Sequence, residues 1–327
     1  MKDTLDIVLL LALPASGKSE VRRYLEFQTP QTCRDSFHMG PTVQLDDFPY
    51  VHIMRRADDE AAALGKPRMF FSAPDKPFAD PRDWGTLIEL INEDYADLAA
   101  QKSYPAGDAA ARTLARIERA AGKCGISGRF SRLDAAAQSK ICAALEAESA
   151  KLIREKTAAY APLEGKTVVI EFARGGAQGS PMPLKSPFGY RHSLALLSDE
   201  ILKKAVILYI WVTPEESRRK NAARANPDDP GSILHHGVPE AVMLGDYGCD
   251  DMDWLEQHSP RPGAISVETR SRTFYLPIGR FDNRVDKTSF LRADPKQWNG
   301  AATEAVRSGI KSAMDKVFSG AAEKVSR

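Results

Sequence analysis

The stretch IVLLLALPASGKSEVRRYL, residues 7–25, decides how the rest of the chain is read. An apolar run over 7–13 is short, unbroken and rich in branched side chains, as a strand buried on both faces must be. Pro14-Ala15-Ser16-Gly17 follows as a turn. From Lys18 onward Val21, Tyr24 and Leu25 recur at helical spacing, which predicts a helix opening at Lys18.

Four further segments read as buried strands, at 42–45, 167–172, 205–212 and 273–278. Most are continuous apolar runs separated by helical patterns, so the expected fold is α/β with a doubly wound, parallel, five-stranded sheet. About a hundred residues separate the second strand from the third, far more than one crossover requires. That interval holds amphipathic patterns at 84–101, 109–123 and 131–160, the last opening with Ser131-x-x-Asp134. Residues 51–159 are therefore expected to be a helical insertion on a core formed by 1–50 and 160–327. Gly122–Arg129 reads as a loop inside the insertion, and 301–325 as a closing amphipathic helix.

The composition is that of a globular chain: 43% hydrophobic, 27% charged, formal net charge +1. No global field attracts nucleic acid or an anionic membrane. Cys33, Cys124, Cys142 and Cys249 lie far apart and suit reduced thiols. With no apolar stretch long enough to span a bilayer, the expected location is cytoplasmic.

Gly17-Lys18-Ser19 alone is a weak signal, since G-K-[ST] arises by chance in roughly one chain in five of this length. The chain carries its own control. Gly165-Lys166-Thr167 repeats the tripeptide, but before a strand and with no helix after it. Only at 17–19 do strand, turn and helix stand in the order that converges main-chain N–H groups, and a helix N-terminus, on phosphate oxygens. There Pro14, Ala15, Ser16, Gly17 and Lys18 would cradle the phosphates and the Ser19 hydroxyl would hold Mg²⁺.

Residues 12–19 (ALPASGKS) resemble the Walker A loop, G-x-P-G-S-G-K-[ST], of P-loop kinases. Ala12 and Ala15 replace two glycines, which is tolerable where those positions have ordinary backbone angles. The resemblance covers about 1–50 and 165–290. It implies a P-loop kinase fold, an ATP (or other NTP) and Mg²⁺ requirement, and transfer of the γ-phosphoryl to a hydroxyl.

At the other strand ends, Asp46 is the first choice for the acid that faces the acceptor hydroxyl, with Asp47 beside it. Val168-Val169-Ile170-Glu171 has the Walker B pattern, making Glu171 the second metal residue. Arg174, three residues on, is a candidate phosphate clamp. It matches neither the adjacent arginine of nucleoside kinases nor the one four residues on in adenylate kinases. Residues 214–260 resemble a kinase lid, with Arg219, Lys220 and Arg224 available to stabilise transferring charge. Asn283 stands in a D-N pair like that of zeta-toxin-like kinases, which implies a place beside the adenine pocket. His52, Arg55 and Arg56 follow the acids and are expected on the acceptor side. His235, His236, Cys249, Asp250 and Asp251 lack metal-ligand spacing.

The favoured acceptor is a small molecule: a nucleoside, nucleotide, sugar or similar alcohol. A polynucleotide or RNA 5′-hydroxyl kinase would recruit the insertion to hold a strand. A hydrolysing switch, or a non-catalytic nucleotide-binding protein with a decayed loop, completes the alternatives.

Overall fold

The computed structural model describes residues 4–105, 107–158, 160–224 and 237–325. In chain order the strands are β1 (Ile7–Leu11), β2 (Thr42–Asp46), β3 (Thr167–Phe172), β4 (Ala205–Trp211), β5 (Ala264–Glu268) and β6 (Thr273–Asp282). The helices are α1 (Lys18–Glu26), α2 (Pro30–Phe37), α3 (Phe48–Ala63), α4 (Asp83–Ala99), α5 (Ala109–Lys123) and α6 (Ala135–Ala158). After β3 follow α7 (Gly189–Ala195), α8 (Asp199–Lys204), α9 (Pro214–Arg224), α10 (Glu240–Gly245), α11 (Met252–Gln257) and α12 (Gly300–Val325).

The strands form one six-stranded sheet in the order β2-β3-β1-β4-β6-β5. Five run parallel, and these are the five expected from the sequence. The sixth, β5, pairs antiparallel with β6 at the edge and corrects the expected count. Ser131 does not open a helix: 130–132 is a short 3₁₀ turn, and α6 starts after Asp134, whose carboxylate accepts the Ala137 N–H at 2.9 Å. The four cysteines are free thiols.

The central strand is buried throughout, and its alternation divides the core. Ile7, Leu9 and Leu11 face one layer with α4, α7, α8 and α11. Val8, Leu10 and Ala12 face the other with α1, α2 and α12. The chain thus leaves β1 toward one face and leaves β3, its neighbour, toward the opposite face. That divergence opens a crevice at the carboxyl ends of the two strands, where ligands of open α/β sheets collect.

Helices α3–α6 share a third apolar core, and α4 joins it to the sheet. Leu87 and Leu90 point into the helical layer, while Ile88, Ile91 and Tyr95 point to the sheet. One buried carboxylate ties the four helices. Asp94 of α4 accepts from the Tyr50 hydroxyl of α3 and from Arg116 Nη2 of α5, each at 2.8 Å, and pairs with Lys156 of α6.

Candidate active site

The strand–turn–helix of 7–25 ends at the crevice. Gly17 has φ 107° and ψ 10°, and a Cβ there would lie 2.5 Å from Thr288 Oγ1 and 2.8 Å from Asn283 Nδ2. Both the backbone angle and the space demand glycine. Ala15 has φ 53°, so this substitute for glycine sits in the left-handed region rather than an ordinary one. The turn therefore stores strain that a glycine would not carry.

The loop's outward carbonyls are tied from behind. Asn283 Nδ2 donates to the Ser16 carbonyl at 2.6 Å and to Thr288 Oγ1 at 2.9 Å. Ser217 Oγ donates to the Pro14 carbonyl at 2.7 Å. Lys220, expected in the lid, is buried here, with Nζ 2.7 Å from Asp286 Oδ1 and 3.3 Å from Thr288 Oγ1. Asn283, expected beside an adenine pocket, is fully buried beneath the loop. On the inner side, Lys18 Nζ reaches the Ala12 and Leu13 carbonyls at 3.3 and 3.4 Å. The buried Ser16 hydroxyl has no partner among the described residues. The competing Gly165-Lys166-Thr167 lies at the amino end of β3, where the Thr167 hydroxyl donates to the Leu5 carbonyl at 2.7 Å.

Three carboxylates line the crevice beside the loop. Asp46 and Glu171 are register partners at the ends of β2 and β3. Arg22 Nη1, one turn along α1 from Ser19, donates to Glu171 Oε2 at 3.1 Å. Asp46 Oδ1 accepts the Phe48 N–H at 2.7 Å, and Asp46 forms no ion pair among the described residues. Burial, then the Glu171 and Asp47 charges, push the Asp46 carboxyl up to about 7. Asp47 differs: its Oδ2 accepts from Arg174 Nη1 at 2.7 Å.

Arg174 is 1% exposed, with its guanidinium 5.0 Å from the Trp84 ring centre. Arg174, expected as a phosphate clamp, holds Asp47 and is not among the residues lining the crevice.

The cavity at this crevice has a volume of about 150 Å³. Pro14 to Ser19 and the three acids line it together with Val51, Arg55, Trp84, Val242 and Tyr247. Arg55 donates to the Pro74 and Lys76 carbonyls at 2.6 and 3.3 Å and makes no ion pair among the described residues. His52 and Arg56, expected on the acceptor side, are not among the lining residues: both reach Glu148 of α6, at 3.1 and 3.2 Å, and fasten two helices. Arg219 is exposed and pairs with Glu216 at 2.7 Å on its own helix, so it too is outside the cavity lining. The side chain of Arg224, and all of His235 and His236, lie outside the described residues.

Among the described residues no group of three or more His, Cys, Asp or Glu side chains is spaced to hold a metal ion. Ser19 and Glu171, both on the cavity wall, offer one hydroxyl and one carboxylate, a hard oxygen set that suits Mg²⁺ completed by phosphate and water. No described helix is long and apolar enough to cross a membrane. Comparison with protein-family models, curated proteins and solved structures gave no significant match.

Proposed function

We propose that this chain is an ATP-dependent phosphotransferase of P-loop kinase type, moving the γ-phosphoryl of Mg-ATP to a hydroxyl of a small-molecule acceptor. The observation that carries the reading is the meeting, in one cavity, of the Lys18 loop with Asp46, a carboxylate with no ion pair among the described residues and a proton affinity raised toward neutral pH. A loop alone would suit any nucleotide-binding protein; the poised acid beside it suits transfer to an alcohol.

Bound Mg-ATP would supply the electrophilic phosphoryl, with the ion neutralising charge on the phosphate oxygens. The loop N–H groups and the α1 N-terminus would hold those oxygens, with the Lys18 ammonium adding a full charge. Ser19 and Glu171 would hold the ion. Asp46, ionised, accepts the acceptor's proton on Oδ2, since Oδ1 is engaged by the Phe48 N–H. The acceptor O–H bond breaks as its oxygen bonds phosphorus, and ADP leaves. Arg174 acts as a positioning residue: by engaging Asp47 in an ion pair it leaves Asp46 as the free base. At about 150 Å³ the cavity suits the reacting ends of both substrates, not a whole nucleotide.

The test is a phosphoryl-transfer screen with Mg-ATP and Mg-GTP against nucleosides, nucleotides, sugars, aminoglycosides and 5′-hydroxyl oligonucleotides. Transfer to a small alcohol that is lost in Asp46→Asn supports the assignment. Acceptor-independent hydrolysis that survives Asp46→Asn contradicts it.

A further inference from the structure

A second and larger cavity, of about 470 Å³, lies where α7 and α11 meet the edge strand β5. It shares no lining residue with the cavity beside Lys18. Its volume falls within the range of small-molecule sites, about 300–1,000 Å³. Leu194, Leu255 and Val267 give it an apolar floor.

Two features above that floor point to a ligand. The first is a rigid flat surface. His258 lies stacked on Trp254, ring centres 4.1 Å apart and planes 16° from parallel, and His258 Nδ1 donates to the Trp254 carbonyl at 2.8 Å. The indole is thereby held in one orientation on the cavity wall. The second is cationic charge without an acid partner. Lys185 and Arg191 both line the cavity and form no ion pair among the described residues; Glu268 is the one acid in the lining. The Arg191 guanidinium lies 5.8 Å from the Trp254 ring centre, and its backbone N–H is anchored by the buried Asp251 carboxylate at 3.1 Å. Ser186 Oγ and His192 Nδ1, 3.0 Å apart, add polar groups at the rim. Burial, with the Arg174 charge, lowers the His192 pKa, so the ring serves as a neutral hydrogen-bonding group.

We propose that this cavity is a second ligand site, taking a small planar aromatic molecule that carries a phosphate or carboxylate group. The ring lies along the apolar floor against Trp254, and the anionic group meets Lys185 and Arg191. The inference is independent of the phosphotransferase reading.

The test is calorimetry and tryptophan fluorescence on the full chain, with phenyl phosphate as probe and inorganic phosphate and phenol as its two halves. Phenyl phosphate should bind at one site, quench tryptophan emission, and bind at least about tenfold more tightly than either half. Arg191→Ala with Lys185→Ala should weaken it by about tenfold or more, Trp254→Phe should remove the quench, and Lys18→Ala should leave it unchanged. Lys185 and Arg191 are exposed, so circular dichroism should show those variants folded. The proposal is overturned by absence of saturable binding at millimolar phenyl phosphate. It is equally overturned by binding indifferent to all three cavity substitutions, or by binding that disappears in Lys18→Ala.

Discussion

Asp46 and Glu171 end adjacent parallel strands in register, two carboxylates side by side with a cation, Arg22, on Glu171 alone. Burial raises the Asp46 pKa most, and the charge of its neighbour Glu171 raises it further. With its proton held up to about 7, Asp46 is a base only on the alkaline side. In the metal-free protein Asp46 should titrate near 7, and Mg²⁺ on Glu171 should draw the acidic limb of kcat/KM for transfer below that value. In Glu171→Gln the Asp46 carboxyl should titrate at lower pH by ¹³C NMR, a readout that does not depend on turnover.

The same shift predicts a stability effect of opposite sense. Asp46 binds its proton more tightly folded than unfolded, so folding takes up a proton between the ordinary carboxyl range near 4 and about 7. Its contribution to stability is present below that window and is lost as pH rises through it. Asp46→Asn keeps an acceptor for the Phe48 N–H and cannot ionise. It should melt higher than the parent at pH 8, by on the order of 1 kcal/mol, and like it at pH 4. A variant that gains stability as it loses transfer is the signature expected of a residue kept for function.

Ala15 at φ 53° predicts that glycine and a branched side chain will behave differently at this position. Ala15→Gly relieves left-handed strain of about 1 kcal/mol but loosens the unfolded chain by about as much. Its melting temperature should hardly change. Ala15→Val adds a branched Cβ at the same angle and should lose more than about 1 kcal/mol. Thermal melts of the pair separate strain from burial.

Asn283 predicts a coupling between the end of β6 and the loop. Asn283→Ala strands the Ser16 carbonyl and the Lys287 N–H, the latter accepted by Asn283 Oδ1 at 2.7 Å. The cost expected by denaturant unfolding is about 1–3 kcal/mol, with weaker Mg-ATP binding because the loop loses its rear support.

Asp94 should be the most costly single truncation in the helical layer. Asp94→Ala leaves Arg116 and Lys156 without their shared anion in a buried setting, at an expected cost of about 3–5 kcal/mol by urea unfolding.

Much of this was legible in the chain, for physical reasons that also explain the failures. The five parallel strands are covered on both faces, so their apolar runs stand out. Ala264-Ile265-Ser266-Val267-Glu268 lies at an edge, is five residues long and alternates, a pattern too brief to separate from a loop. In α3, Val51 and Arg55 are one turn apart and share the cavity face. His52 and Arg56, a hundred degrees around the helix, share the face toward Glu148. Helical periodicity could have made that division, and could also have placed Arg22 one turn after Ser19. No local pattern tells that Arg174 meets Asp47, 127 residues away, or that Asn283 reaches the Ser16 carbonyl, 267 residues away. Such partners are fixed by the sheet order.

The most direct measurement is calorimetric titration of Mg-ATP into the native chain and into Lys18→Ala, with circular dichroism to show that both are folded. Saturable binding by the native chain, weakened by more than about tenfold in the variant, is the predicted result. Equal affinity in the two proteins, or no binding to the native chain, would contradict the claim that the turn between β1 and α1 grips a triphosphate.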